Sequence, residues 1–219
     1  MSNFLAIATV TAALCEALQN AVNDAGQGGV PGAQVTHVRP GRDQGDAKPA
    51  GINVFLYQAT VNAALANADL PARRDDGSFG QGPSAALDLY YLMTFHGDDG
   101  RLEPQRLFGT AVSLLHAEPV LSRALIRQVV ESTPYLRGSD LAEQRDLVRI
   151  TRAVPSLDDL SRLWLMFPQI EYELSAIYQA GPVPVDRSIV QHMPLPARSP
   201  RRPAPTSAIS RKRSRRRSP

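Results

Sequence analysis

His96, Asp98 and Asp99 stand together in FHGDDG, where an imidazole and two carboxylates fall within four residues, as in many metal sites. They follow a strand-like run and belong to a DDG turn, so they read as a solvated turn. The other histidines, His37, His116 and His192, are dispersed. Cys15, the one cysteine, lies on an apolar helical stripe with no motif around it, and reads as a small core hydrophobe rather than a nucleophile. AGQGGVPG at 25–32 is glycine-rich, but a phosphate cradle needs a strand before it, a helix after it and a GK[ST] ending. This stretch follows a helix and reads as a flexible turn. There is no GxSxG, HExxH, CxxC or Walker sequence, and no two carboxylates are singled out for acid–base work. The residues therefore support no enzyme, no cofactor and no metal.

Charge separates the chain into two parts. The net charge of +3 conceals nine Lys or Arg and no acid in residues 193–219, which leaves 15 basic and 21 acidic side chains in residues 1–192. With Pro, Ser and Arg and few large apolar groups, residues 191–219 are expected to be a disordered basic tail, unable to bury enough surface to offset the entropy of ordering. Its densest cations, Arg211, Lys212, Arg213, Arg215, Arg216 and Arg217, are candidates for polyanion contact through counterion release. No aromatic residues are interleaved with them to stack on bases. A lone cysteine cannot form an internal disulfide, which fits a reducing compartment or an exported object that does not depend on such staples. No run approaches the eighteen or so apolar residues of a membrane span, so no membrane partner is expected. MSNFLAIATVTAAL lacks a basic leader and reads as a helix of the mature chain.

With 43% hydrophobic residues, the remaining 190 or so can bury one sizeable core. Phe4, Ile7, Thr11, Leu14 and Leu18, widened by Ala8, Cys15 and Val22, recur at helical spacing and predict an amphipathic helix over 3–23. Strands are expected at 34–38 (QVTHV), at 52–59 (INVFLYQA, apolar on both faces and so central) and at 86–95 (ALDLYYLMTF). In the last, Leu87, Leu89, Tyr91, Met93 and Phe95 share one face. Pro104 opens a helix with Leu107, Phe108, Ala111, Leu114 and Leu115 buried, and a second runs over about 121–131. LVRITRAV at 147–154 alternates as a strand. Ser156 with Asp159 resembles a capping box, after which Leu157, Leu160, Leu163 and Trp164 face inward. A last strand over 170–180 places Ile170, Tyr172, Leu174 and Tyr178 on one face and Glu171, Glu173 and Ser175 on a solvent-facing or edge side. Pro182 and Pro184 in GPVPVDRS then limit its ladder. The elements describe one α/β (α+β) domain over residues 1–190, a mixed, mainly antiparallel sheet covered by helices.

Between two of these strands lies NAALANADLPARRDDG, residues 62–77, a connection longer than compact domains usually keep without a function. Asn62, Asn67 and Asp69 can fix backbone turns, Pro71 stiffens the path, and Arg73 and Arg74, followed by Asp75, can grip carboxylates on a neighbour.

SNFLAIATVTAAL, INVFLYQATVNAALANADLPARRDDG, ALDLYYLMTFHGDD, LEPQRLFGTAVSLLH and the LWLMFP to YELSAIYQA region, in that order, resemble the Pvc16 N-terminal domain family (DUF4255) through almost all of residues 1–185. The resemblance implies a phage tail-terminator-like fold. It further implies a structural cap, or tail terminator, of an extracellular contractile injection system, a phage tail-like particle whose sheath shortens around a rigid inner tube. The cap would be a homo-oligomer, a hexameric ring on the baseplate-distal end. Its partners would be the sheath protein and the inner tube protein, its assembly would take place in the bacterial cytoplasm, and it would leave as part of a released particle. The 62–77 loop and the 170–180 strand, with Glu171 and Glu173, are then candidate assembly surfaces, the strand by pairing with an arm of a sheath or neighbouring cap subunit. The basic tail lies outside the resemblance. A nucleic-acid-binding or polyanion-binding adaptor acting through that tail is the alternative.

Overall fold

The structure is a computed structural model that describes residues 3–41, 49–65, 84–167 and 170–186. In chain order its helices are α1 (Ala6–Asp24), α2 (Glu103–Ala117), α3 (Arg123–Ser132) and α4 (Leu157–Trp164). Its strands are β1 (Gln34–Thr36), β2 (Gly51–Val61), β3 (Ser84–His96), β4 (Arg149–Ala153) and β5 (Leu174–Asp186). They form a single mixed sheet in the order β1-β2-β3-β5-β4, with β1 parallel to β2 and every other pair antiparallel. The α+β domain expected from the sequence is the one observed.

Strand alternation divides the sheet into two unequal faces. Ile52, Val54, Leu89, Tyr91, Met93, Phe95, Ala176, Tyr178 and Ala180 belong to the main core with α1, α2 and α3, through Val10, Leu14, Leu18, Leu107, Ala111, Ile126 and Val129. Each large apolar side chain buried there contributes roughly 1.5–3 kcal/mol. The hydroxyl of Tyr91, deep in this core, is satisfied by Thr11 Oγ1 at 2.9 Å. On the opposite face Leu92 and Ile177 meet Leu163 and Phe167, with Phe55, Tyr57, Leu160 and Trp164 packed around them. Among the described residues, the eight-residue α4 and its flanks form this second layer.

Local signals place the helix starts. Asn3 Oδ1 accepts from Leu5 N just ahead of α1, Pro104 sits in the first turn of α2, and Ser122 Oγ caps α3 by accepting from Leu125 N. Ser156 Oγ accepts from Asp159 N at the start of α4, and its own proton goes to Asp159 Oδ2 at 2.7 Å. The box is therefore closed side chain to side chain, not through a second backbone donor.

Four expectations are corrected. The buried stripe of α1 is Ala6, Thr9, Val10, Ala13, Leu14, Cys15, Leu18 and Val22, with Cys15 buried as expected and the rest partly rotated from the stripe read off the sequence; Phe4 is 79% exposed and Ala8 is exposed. Phe4 stands ahead of the first helical residue, Ala6, so helical spacing does not govern where its side chain goes. Leu157 is 83% exposed, because α4 covers the sheet with only Leu160, Leu163 and Trp164.

The last strand begins at Leu174 rather than 170, and it is interior: β3 pairs with it along its length, and β4 pairs with residues 177–181. Nor does the ladder stop at Pro182, since Val183, Pro184, Val185 and Asp186 pair with Leu87, Ala86, Ala85 and Ser84. Beyond Gly181 this half of β5 pairs only with β3, so prolines at alternate positions leave donors missing on a side that, among the described residues, has no ladder to interrupt.

Candidate assembly surfaces

Asn62 directly follows β2 and is held by hydrogen bonds through both its backbone and its side chain. Its backbone N donates to Ala86 O, Nδ2 donates to Asp88 Oδ1 and Oδ2 at 2.9 and 3.1 Å, and Oδ1 accepts from Leu65 N. Asp88 is 9% exposed and sits on β3 opposite a bulge in β5, where Gly181 and Pro182 together face it and the register shifts between Leu87 and Leu89. Across from it lies Gly181, where a Cβ would stand 2.2 Å from Asp88 Oδ1. Bulge, carboxylate and glycine form one unit, and Asn62 is its lid. This residue anchors the start of the 62–77 connection and turns its side chain toward its own chain. Asn67, Asp69, Pro71, Arg73, Arg74 and Asp75 lie outside the described residues, as do Arg211, Lys212, Arg213, Arg215, Arg216 and Arg217 of the tail.

Glu171 and Glu173 precede β5 instead of riding on it. With Phe95, His96, Asp99, Gln105 and Tyr172 they line an open cleft of about 460 Å³ at the end of β3. The grouping seen in FHGDDG is used internally: Asp98 Oδ1 accepts from Gly100 N, and Asp98 N donates to Glu103 Oε2. Among the described residues no three His, Cys, Asp or Glu side chains come together as metal ligands. The glycine-rich stretch presents carbonyls, which accept from the Arg106 guanidinium at Gly28 and Gly29, whereas a phosphate cradle presents N–H groups. Cys15 is buried, and desolvation, with the neighbouring Glu16 charge second, pushes its thiol from 9.0 up to about 12. A thiol so hard to ionise is no nucleophile near neutral pH.

Two surfaces escaped the sequence reading. Val154, Leu157, Leu165, Met166 and Tyr172 are exposed along α4 and its flanks, a concentration of large apolar side chains on the thinly covered face. Hydrophobic spacing marks such residues as apolar but does not say that the layer stops short of them. The second surface is a sheet edge. β2 pairs with β1 only from Gly51 to Asn53, and among the described residues nothing pairs with its outer side from Val54 to Val61. Asn53 causes the break. Its Oδ1 accepts from Thr36 Oγ1 and Val38 N and its Nδ2 donates to Val38 O, which diverts the chain leaving β1 onto a side chain.

The opposite edge is closed. β4 is five residues long, carries Arg149 and Arg152, and has Pro119 and Leu121 bonded along its outer side. Short, charged and covered edges resist strand pairing, whereas long uncharged ones invite it.

The chain matches the Pvc16 N-terminal domain family over residues 9–199. It belongs to that family. The fold is similar to the sheath/tube terminator, in its extended state, of the PVC extracellular contractile injection system, solved by cryo-electron microscopy. The TM-score is 0.58 at 17% sequence identity, covering 93% of this chain and 65% of that one. It is also similar to the tube-terminating cap of the anti-feeding prophage, at TM-score 0.43 and 19% identity, covering 69% of this chain and 49% of that one. This family member thus spans about two thirds of the terminator's length and about half of the cap's. No curated protein matches the chain.

Proposed function

We propose that this protein is the terminating cap of a phage tail-like extracellular contractile injection particle. In this reading it forms a hexameric ring on the baseplate-distal end of sheath and inner tube, ends their growth and holds the last layer. Family membership over residues 9–199 is the observation that carries the reading. The physical requirement is compatible with it. A stacked polymer grows because each subunit offers two unlike, complementary faces, and a cap has to fit the exposed one without repeating the other. That task needs edges and loops, and no catalytic group. Unlike sheet edges, one open along β2 and one closed along β4, support such asymmetry.

The partners of this reading are the sheath protein, the inner tube protein and further copies of the chain, brought together in the bacterial cytoplasm before the particle is released. The body carries the role together with the segment up to residue 199 that lies within the family match, and the cation-rich remainder of the basic tail is an appendage. Deleting the gene is expected to give particles of uncontrolled length or unstable sheath, measured by electron microscopy. Particles of normal length and stability in the deletion strain would refute the proposal. Within it, we assign the 62–77 connection to a subunit contact through Arg73 and Arg74. Arg73→Glu with Arg74→Glu should leave the monomer folded and impair ring formation, and unchanged rings would remove the assignment.

Nine cations beyond residue 192 favour polyanion binding as a second reading. Removing residues 200–219 separates the two. The cap reading expects particle length to survive the truncation, and the adaptor reading expects the activity to be lost.

A further inference from the structure

We propose that residues 188–193 of one copy, SIVQHM, pair as an added strand on the open outer edge of β2 in a neighbouring copy, so that C-terminal arms link subunits of the ring. The inference rests on the ring reading and specifies the contact that would hold it.

The acceptor is defined by the backbone. From Val54 to Val61 the outer edge of β2 has no partner among the described residues, and the residues along it carry no charge and no proline. Phe55, Leu56 and Tyr57 are only half-buried, and Gln58 and Ala59 are exposed. A strand laid beside them would extend the Val54 and Leu56 face over the main core and the Phe55 and Tyr57 face over the α4 layer. The guest therefore has to be extended, free of proline and charge, and apolar at several positions.

The chain itself supplies such a segment. Outside the described residues, 42–48 and 66–83 are broken by charge, glycine or proline every few positions, whereas 188–193 runs six residues without any of them and contains Ile189, Val190 and Met193. It also lies within the family match, which runs to residue 199, while Arg211 to Arg217 do not.

Geometry selects a neighbouring copy over the same one. β5 ends at Asp186 beside Ser84, the end of the sheet where β2 finishes at Val61 beside Leu87. In the order β1-β2-β3-β5-β4, a place outside β2 is three strand spacings from β5, about 14 Å at ~4.8 Å each. The two steps from Asp186 to Ser188 span at most about 7 Å. Residue 188 cannot reach its own β2, but it can reach that of an adjacent subunit. Exchange of this kind is head to tail and closes into a ring when each copy both gives and receives.

The test uses the full chain at a concentration where native mass spectrometry finds it assembled. Val190→Pro removes a ladder donor in the arm and is expected to weaken assembly roughly ten-fold or more, while the melting temperature of the monomer, whose last strand ends four residues earlier, stays unchanged. A size-tagged chain carrying Gln58→Cys, Ala59→Cys or Thr60→Cys is mixed with an untagged chain carrying Gln191→Cys. One of these pairs is expected to give a tagged–untagged disulfide on oxidation, and buried Cys15 takes no part. If rings form but Val190→Pro is neutral and no mixed disulfide appears, the arm exchange is overturned and the ring reading stands. If the wild type stays monomeric beside its own sheath and tube proteins, the ring reading falls and the arm with it.

Discussion

Replacing Asn62 by alanine removes two hydrogen bonds to a carboxylate and one of the two acceptors of Leu65 N, while the backbone bonds from Asn62 N to Ala86 O and from Leu65 N to Asn62 O remain. Asp88 cannot recover its partners from bulk water easily, being 9% exposed with β5 across from it. Hydrogen bonding to a charged group contributes about 1.5–3 kcal/mol net, and Leu65 N, which keeps its bond to Asn62 O, adds at most about 0.5. The expected cost of Asn62→Ala is therefore roughly 1.5–3.5 kcal/mol, or a fall of roughly 3–14 °C in melting temperature for a chain of this size. Urea unfolding followed by circular dichroism measures it. A double-mutant cycle with Asp88→Ala isolates the pair, with a coupling of about 1 kcal/mol or more expected. A cost below about 0.5 kcal/mol, the range of ordinary surface changes, would refute the reasoning. So would an additive double mutant. Loss of assembly with unchanged stability would instead support Asn62 as a subunit contact.

Gly181→Ala places a methyl 2.2 Å from Asp88 Oδ1 and should cost about 1–3 kcal/mol in the same assay through overpacking of the bulge. On α4 the two sides should behave oppositely: Leu157→Ser is expected to change stability by less than about 0.5 kcal/mol, and Leu163→Ala to cost about 2–4. The Cys15 thiol, at about 12 when folded and 9.0 ordinarily, should resist a thiol reagent at pH 8 until the chain unfolds. Because its folded value is raised, its contribution to stability is complete below pH 9 and is lost progressively from there toward 12, by up to ~1.4 kcal/mol per pH unit. Tyr91 and Tyr178, also raised by burial, steepen that alkaline loss above pH 10, and Cys15→Ala should remove the portion that begins near pH 9.

The sequence by itself determined which segments are helix and which are strand, because periodicity and capping are local. Leu87 to Phe95 alternates, Leu107 to Leu115 recurs at helical spacing, and Ser156 stands three residues before Asp159. The order of residue types also carried the family, and the charge division separated body from tail. Only the tertiary structure decided which strands are interior and which edges stay open, since polarity along β5 says nothing about a neighbour such as β4 that arrives from 25 residues earlier. It decided that Phe4 and Leu157 face solvent, because a residue's burial depends on how far the opposing layer extends. It also joined Asn62 to Asp88, 26 residues away, and, among the described residues, left the outer side of β2 without a partner beyond Asn53, which captures Val38. Hydrogen bonds between distant residues leave no period in a sequence, and the surfaces on which an assembly would be built depend on them.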